Sequence, residues 1–194
     1  MPKISAPSLV QQRQWRRSEL LDAAASLALE SGATAITVSA VAARAGLSRT
    51  SFYEYFASSS DIVAELITDE LKSFSHFLEE KVASASDPDS AITSWIEGSL
   101  EYVADGRHLL AKALSALEMS GERSQAIAHA HRKMLAPLST PLRAMGIADI
   151  TQALMLIHAT TDSATRRIES GVAAENEIAA TCAFILAGLK ALQR

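Results

Sequence analysis

Between positions 48 and 55 the sequence concentrates side chains that form hydrogen bonds around a single arginine. Arg49 follows Ser48 and precedes further hydroxyl groups, and Glu54 is the only acid between Gly46 and Asp61. A guanidinium can donate two hydrogen bonds to the acceptors of a guanine, and hydroxyl groups bond to phosphate oxygens. The composition of this stretch therefore favours a surface that fits the major groove of DNA.

These side chains need a rigid support, and the preceding residues predict a short helix followed by a turn. Val41, Ala42 and Ala45 recur at helical spacing and give the helix one apolar face. Thr37 can cap its amino end through the hydroxyl. Gly46 stands where the chain must reverse, and glycine adopts a left-handed backbone there without a steric penalty.

A second helix begins after the glycine and presents two different faces. Ser48 is a plausible cap for it, while Phe52 and Phe56, four residues apart, point inward. At the next helix start, Ser58 with Asp61 three residues later resembles a capping box. The order of helix, glycine turn and helix predicts a helix-turn-helix unit.

The run from Ile36 to Phe56, ITVSAVAARAGLSRTSFYEYF, resembles the DNA-binding domain of the TetR family of bacterial transcriptional regulators. The match extends from Arg13 to Leu66, and the AGLS turn and the YEYF ending carry most of it. The resemblance implies a dimeric, all-helical protein. It also implies three amino-terminal helices for DNA and about six further helices for ligand binding and dimerisation.

By position, the resemblance implies a set of DNA-binding residues, completed by the cap Ser48. Thr37 and Tyr53 are expected to contact phosphates. Those expected to face bases or nearby backbone are Ser39, Arg49, Thr50, Ser51 and Tyr55. The chain departs from the family pattern at Ser59, where many members carry lysine, so only its backbone N-H is expected to reach a phosphate.

Charge is distributed unevenly along the chain. The 194 residues carry a net charge of -4, but residues 1 to 56 have a net charge of +2 and the remainder a net charge of -6. The basic end is the end that carries the helix-turn-helix pattern, which supports the DNA-binding interpretation. Arg13, Arg16 and Arg17 belong to this end, where they either reach DNA or form a solvated helix end.

The composition also predicts a cytoplasmic protein that does not enter a membrane. Hydrophobic residues make up 48% of the chain, enough for a buried core, and the single Cys182 excludes an internal disulfide. No stretch has the form of a secretion signal, and none approaches the ~20 apolar residues that a membrane helix needs.

The predicted fold is all-α, with three segments. Residues 1–12 form a flexible arm, 13–58 the helix-turn-helix DNA-binding domain, and 59–194 a helical ligand-binding and dimerisation bundle. Within the bundle, apolar spacing predicts helices at about 59–85, 89–104, 107–119, 122–143, 149–170 and 174–192. Pro137 is expected to kink or split the fourth of these.

The last two predicted helices carry an apolar stripe with two possible uses. Periodicity alone favours ordinary packing within one subunit, whereas the family resemblance implies a dimer interface formed as a four-helix bundle. The residues predicted for this interface are Ile150, Leu154, Ile157, Ile178, Cys182, Ile185 and Leu189.

The middle helices carry residues that could line a cavity for a small-molecule effector, although each residue alone is more often plain core. Apolar pockets between helices with a few polar groups are the usual form of such sites. The candidates are Trp95, Tyr102, His108, Met119, Met134, Met155 and His158.

Enzymatic and metal chemistry find little support in the sequence. His129 and His131 are two residues apart and would project about 200° from each other on a helix, so they cannot chelate one metal together. No HExxH, phosphate-binding glycine loop or GxSxG motif occurs. We therefore expect no enzymatic activity, metal or cofactor.

The leading hypothesis is a homodimeric repressor that binds double-stranded DNA at a palindromic operator and is released by a small molecule. The alternative is a helical ligand-binding or scaffolding protein without DNA function. The weak basic charge and the serine at position 59 are the features that keep this alternative open.

Overall fold

The computed structural model describes residues 9–115, 125 and 133–193, which fall into two compact units. The first unit contains described residues 9–69 and 110–115, and the second contains 70–109, 125 and 133–193. Within these ranges there is no β-strand, and an isolated bridge joins Ile147 to Gln193. The predicted all-α fold is confirmed.

The first unit is built from short helices around a helix-turn-helix. Its elements are α1 (Leu9–Ser31), a 3-10 turn (Ala33–Ala35), α2 (Val38–Arg44), α3 (Arg49–Phe52) and the start of α4 (Ser59–Ala83). Helix α1 begins at Leu9, four residues before the predicted start, so part of the expected flexible arm is helical. After Pro7 no proline or glycine interrupts the sequence until Gly32, and nothing local prevents the helix from extending backwards.

The core of the first unit is formed by apolar faces of all these helices. Leu20, Ala24 and Leu27 of α1 are buried at the spacing predicted for its apolar stripe. The remaining buried apolar residues of the helix-turn-helix and the start of α4 are Ala23, Ala28, Ala33, Ile36, Val41, Ala42, Phe52, Phe56, Ile62, Val63, Leu66 and Ile67.

In the second unit, α5 (Pro88–Ala104) packs against the last two helices, α8 (Ile150–Glu169) and α9 (Ala174–Ala191). Helix α7 (Ser139–Ala144) is shorter, and all of helix α6 (Leu109–Ser115) except Leu109 belongs to the first unit. Helix α4 has residues up to position 69 in the first unit and its remaining residues in the second.

The predicted helix at 122–143 is broken, as expected, at Pro137. Residues 133–135 are helical, Ala136–Leu138 form a 3-10 turn, and α7 follows. Proline lacks the N-H that would continue the α-helical pattern, which accounts for the change. The parts of the predicted helices at 116–124 and 126–132 lie outside the described residues, as do Met119, Gly121, His129 and His131.

The residues predicted for the dimer interface lie mostly inside the second unit, on the side of α8 and α9 that faces α5. Ile157, Cys182, Ile185 and Leu189 are buried in its core, and Ile150, Leu154 and Ile178 are partly buried against it. The physical reason is that α5 packs on α8 and α9 and covers this stripe. The large apolar side chains that α8 and α9 leave exposed are Met155, Leu156 and Phe184.

Candidate nucleic-acid interface and inner cavity

The helix-turn-helix is fixed by two side-chain caps and one glycine. The hydroxyl oxygen of Thr37 accepts a hydrogen bond from the Ala40 N-H at 3.2 Å. That of Ser48 accepts one from the Ser51 N-H at 3.0 Å. Between the two helices Gly46 has a φ of 66°, in the left-handed region. Both predicted caps and the predicted glycine turn are therefore present in the structure.

Two buried aromatic rings anchor α3 to the rest of the first unit. Phe52 is 0% exposed and Phe56 is 4% exposed, and their ring centroids are 5.7 Å apart. The guanidinium of Arg17 lies 5.0 Å from the centroid of the Phe56 ring and forms an ion pair with Glu65 of α4. One face of α3 is thus held in place, and the other is left to solvent.

The exposed face carries most of the predicted DNA-binding side chains. Thr37, Ser39, Ser48, Arg49, Thr50 and Tyr53 are exposed, whereas Ser51, Tyr55 and Ser59 are half-buried. Ser48 and Ser51 also bond to each other through their hydroxyl oxygens at 3.1 Å, so both hydroxyls take part in the cap. Arg49, Thr50 and Tyr53 keep their polar groups available at the surface.

The arginines of this unit divide into structural and available groups. Arg44 forms a two-pronged ion pair with Glu30 at 2.8 and 2.7 Å, and this hydrogen bonding lowers the pKa of Glu30 below its ordinary value. Arg17 is engaged with Glu65. Arg49 and Arg16 are exposed and have no ion-pair partner among the described residues.

An open groove lies beside α3 in the same unit. Arg13 and Arg16 line it together with Tyr55 and Glu54, and Arg13 donates a long 3.5 Å hydrogen bond to the backbone oxygen of Glu54. Cationic side chains next to Tyr55 suit contact with a phosphate backbone. The sequence could not separate Arg17 from Arg13 and Arg16, because the partner that engages Arg17 lies 48 residues away.

Helix α4 begins with the predicted Ser58 and Asp61 arrangement. The Ser58 hydroxyl accepts a hydrogen bond from the Asp61 N-H at 3.2 Å and donates one to the Asp61 carboxylate at 2.8 Å. The side chain of Ser58 therefore caps the helix whose first residue is Ser59.

The second unit contains a cavity of about 140 Å³. The structure brings three of the predicted ligand residues together around it, namely Trp95, Met134 and His158. The indole N-H of Trp95 donates a 2.9 Å hydrogen bond to the backbone oxygen of Met134. The other residues that line the cavity are Phe74, Ser99, Val103, Leu135, Thr161, Asp162 and Thr165.

The other predicted ligand residues have different surroundings. Tyr102 stacks on Phe74 with centroids 4.1 Å apart, and Nε2 of His108 lies 2.9 Å from the Glu169 carboxylate. Met155 is 68% exposed because it lies on the opposite side of α8 from the buried Ile157. Met119 lies outside the described residues.

Sequence reasoning missed two polar members of the cavity, Ser99 and Thr161. Each interrupts an apolar stripe at a position where helical spacing demands burial: Ser99 follows Trp95 by four residues, and Thr161 follows Ile157 by four. A polar residue at a buried position of an apolar stripe could have indicated a binding site, because a buried hydroxyl needs a hydrogen-bond partner.

The part of the chain that the structure describes has neither a metal-binding cluster nor a membrane-spanning helix. There, no group of three or more His, Cys, Asp or Glu side chains could hold a metal ion. None of the described helices is long and apolar enough to cross a membrane.

The fold of both units is shared with solved bacterial regulators. The fatty acid degradation regulator FadR from Bacillus halodurans superposes with a TM-score of 0.74 at 18% identity, over 96% of this chain and 99% of that one. FadR from Bacillus subtilis, solved in complex with stearoyl-CoA, gives 0.69 at 22% identity over 91% and 99%. The TetR-family regulator SCO4454 from Streptomyces coelicolor gives 0.77 at 12% identity over 98% of each chain.

The geometry of α2, the glycine turn and α3 is that of a helix-turn-helix, and the fold of the chain is that of these solved proteins. Residues 20–66 match the model of bacterial regulatory proteins of the tetR family. This segment therefore belongs to a DNA-binding domain of that family, which confirms the resemblance found in the sequence and identifies the chain as a DNA-binding transcriptional regulator. No curated protein sequence matches the chain.

Proposed function

We propose that this regulator is a homodimeric repressor that binds a palindromic operator in the cytoplasm and leaves it when a small molecule binds. The observation that carries the proposal is the pair of faces on α3. Phe52 is buried while Arg49 and Tyr53 stand in solvent, so the helix presents its hydrogen-bonding groups from a fixed position. We expect no catalytic activity, because the proposal needs only binding equilibria.

A second copy of the chain is the proposed partner of the exposed face of α8 and α9. Leu156 and Phe184 are 51% and 70% exposed, and both line a concavity of about 230 Å³ with Thr160, Gly188 and Leu192. Contiguous exposed apolar groups mark interaction sites. In a dimer with a two-fold axis, this patch on one copy would contact the same patch on the other, which is the usual form of a homodimer interface.

Dimerisation gives the recognition helix its selectivity in this proposal. One helix in one groove reads only a few base pairs, whereas two linked helices act with the effective concentration of a tether. Half-sites are then expected about one helical turn apart, ~34 to 36 Å, or a multiple of that distance.

Release by a small molecule requires that the molecule binds the two conformations of the dimer unequally. A tenfold loss of DNA affinity needs about 1.4 kcal/mol of coupling between the two sites. The B. subtilis regulator with the same fold was solved with stearoyl-CoA, which supports a ligand site in proteins of this architecture.

Binding to the DNA upstream of the protein's own gene tests the proposal. In a band-shift or fluorescence-anisotropy titration, the purified protein should bind a palindrome as a dimer and a single half-site much more weakly. The affinity should fall steeply as salt rises, because bound phosphates release counterions. Equal binding to the half-site and the palindrome, or an affinity that is independent of salt, would contradict the proposal.

The dimer interface is tested by Phe184→Asp, with Leu29→Asp as the control. Both residues are large, apolar and exposed, at 70% and 57%, but Leu29 lies on α1 in the first unit. A buried charge without a partner is strongly unfavourable, so Phe184→Asp should give monomers in analytical ultracentrifugation. Leu29→Asp should remain dimeric, and a dimeric Phe184→Asp variant would place the interface elsewhere.

A further inference from the structure

Two buried hydroxyl groups at the cavity have no hydrogen-bond partner among the described residues. These are the side-chain oxygens of Ser99 and Thr161, on α5 and α8. The two residues are 7% and 6% exposed, and both line the cavity. A buried hydroxyl without a partner is unfavourable, so a molecule that bonds to it inside the cavity is stabilised.

One hydrogen bond within the wall joins two further polar groups of the cavity. The Trp95 N-H donates a hydrogen bond to the Met134 carbonyl, so each of these two groups already has a partner. Phe74, Val103 and Leu135 contribute apolar surface. The cavity therefore offers aromatic and aliphatic contacts together with the two hydroxyls, and its other polar lining residues are His158, Asp162 and Thr165.

The charges around the cavity favour a neutral occupant. Among the described residues that line it there is no lysine or arginine, and Asp162 forms an ion pair with Arg166. His158 also lines the cavity and is an exposed residue. An anionic ligand would leave water without a lysine or arginine among these residues to receive it, which is costly in an apolar site.

The size of the cavity limits the occupant to a single ring. Its volume of about 140 Å³ is close to the ~150 Å³ of an engineered apolar cavity that binds benzene. Sites for drug-sized ligands occupy ~300 to 1,000 Å³. A long acyl chain with a nucleotide headgroup, as in the stearoyl-CoA complex of the B. subtilis regulator, is far too large for it.

We propose that this cavity binds a neutral, single-ring aromatic molecule that carries one hydroxyl or carbonyl group, which bonds to Ser99 and Thr161. The ring lies among Phe74, Trp95 and Met134. The inference deepens the proposed function by naming the class of effector, and it depends on that proposal only for the step from binding to release of DNA.

Calorimetric titration of the full-length protein with phenol, benzene and benzoate tests the inference. Phenol should bind, and benzene should bind about five- to tenfold more weakly because it makes no hydrogen bond. Benzoate, which has a similar ring but a negative charge, should not bind. Failure of all three to bind would mean that the cavity holds water only, and benzoate binding more tightly than phenol would refute the neutral class.

Matched variants locate the polar contact. Ser99→Ala and Thr161→Val should each weaken phenol binding by about five- to tenfold and leave benzene binding equal or tighter. Thr161→Ser keeps the hydroxyl and should retain the preference for phenol. Thr93→Val is the control, because the Thr93 hydroxyl already donates to the Asp89 carbonyl at 3.0 Å. Phenol binding that is unchanged in both Ser99→Ala and Thr161→Val would overturn the assignment.

The operator titration separates this inference from the proposed function. If phenol binds with the expected variant pattern but does not release DNA, the cavity assignment stands and the effector role is refuted. If another molecule releases the operator while no single-ring probe binds, the cavity assignment alone is refuted.

Discussion

Two adjacent aromatic residues on α3 should respond in opposite ways to truncation. Phe52 is 0% exposed, with its ring centroid 5.7 Å from that of Phe56, whereas Tyr53 is 53% exposed. Phe52→Ala removes a fully buried ring and should lower the free energy of unfolding of the first unit by about 3 to 5 kcal/mol. Tyr53→Ala removes a similar ring from the surface and should change stability by at most about 0.5 kcal/mol.

Amide hydrogen exchange of the full-length protein measures both effects. A loss of 3 kcal/mol in the free energy of unfolding raises the fraction of molecules whose first unit is unfolded more than about a hundredfold. Peptides from the helix-turn-helix of Phe52→Ala should therefore exchange much faster, while peptides from α8 and α9 should keep their rates. Tyr53→Ala should show native exchange but weaker DNA binding.

The anchoring role of Phe52 would be refuted by either of two results. One is a stability loss below about 1 kcal/mol in Phe52→Ala, which would mean that the ring is replaceable or not buried. The other is an equal loss of protection in both variants, which would mean that the two faces of α3 do not differ.

Two further predictions concern the turn and a helix cap. Gly46→Ala should lower the free energy of unfolding in urea by about 1 to 2 kcal/mol, because the φ of 66° is left-handed. No atom lies within 4 Å of an added Cβ, so the cost comes from the backbone and not from a clash. Gly46→Asn should cost less, and an unchanged stability of Gly46→Ala would contradict this reasoning. Asp87 accepts a hydrogen bond from the Ser90 N-H, and its pKa is lowered below the ordinary 3.8, so the folded state favours the carboxylate. Above pH 4, the melting temperature of Asp87→Asn should be lower than that of the native protein. The difference should shrink as the pH falls through the lowered pKa of Asp87, and a difference that does not change with pH would refute this explanation.

Features fixed by local rules were predictable from the sequence. The caps at Thr37 and Ser48, the glycine turn at Gly46 and the inward direction of Phe52 depend on neighbours within a few residues, and the structure has all of them. The break at Pro137 has the same local origin, because proline cannot continue an α-helix.

Features set by distant partners were not predictable in the same way. Periodicity marked the stripe through Ile157 and Ile185 as apolar but could not show that α5, and not a second subunit, covers it. Met155 was predicted to line the cavity from its residue type, although its position on α8, two residues before the buried Ile157, directs its side chain outward. The same choice overlooked Ser99 and Thr161, which only a search for polar residues within apolar stripes would have found.

The proposal that Arg49 reads a base is tested by measuring how Arg49→Ala binds a set of operator variants. With salt held constant, each base pair of one half-site is changed in turn and the affinity measured for the native protein, Arg49→Ala and Arg16→Ala. Arg49→Ala should cost about 1 to 3 kcal/mol on the best operator and lose its preference at one base pair in each half-site. Arg16→Ala should weaken all sequences equally and reduce the salt slope by about 1. An equal loss on every sequence for Arg49→Ala would contradict the claim and make Arg49 a phosphate contact.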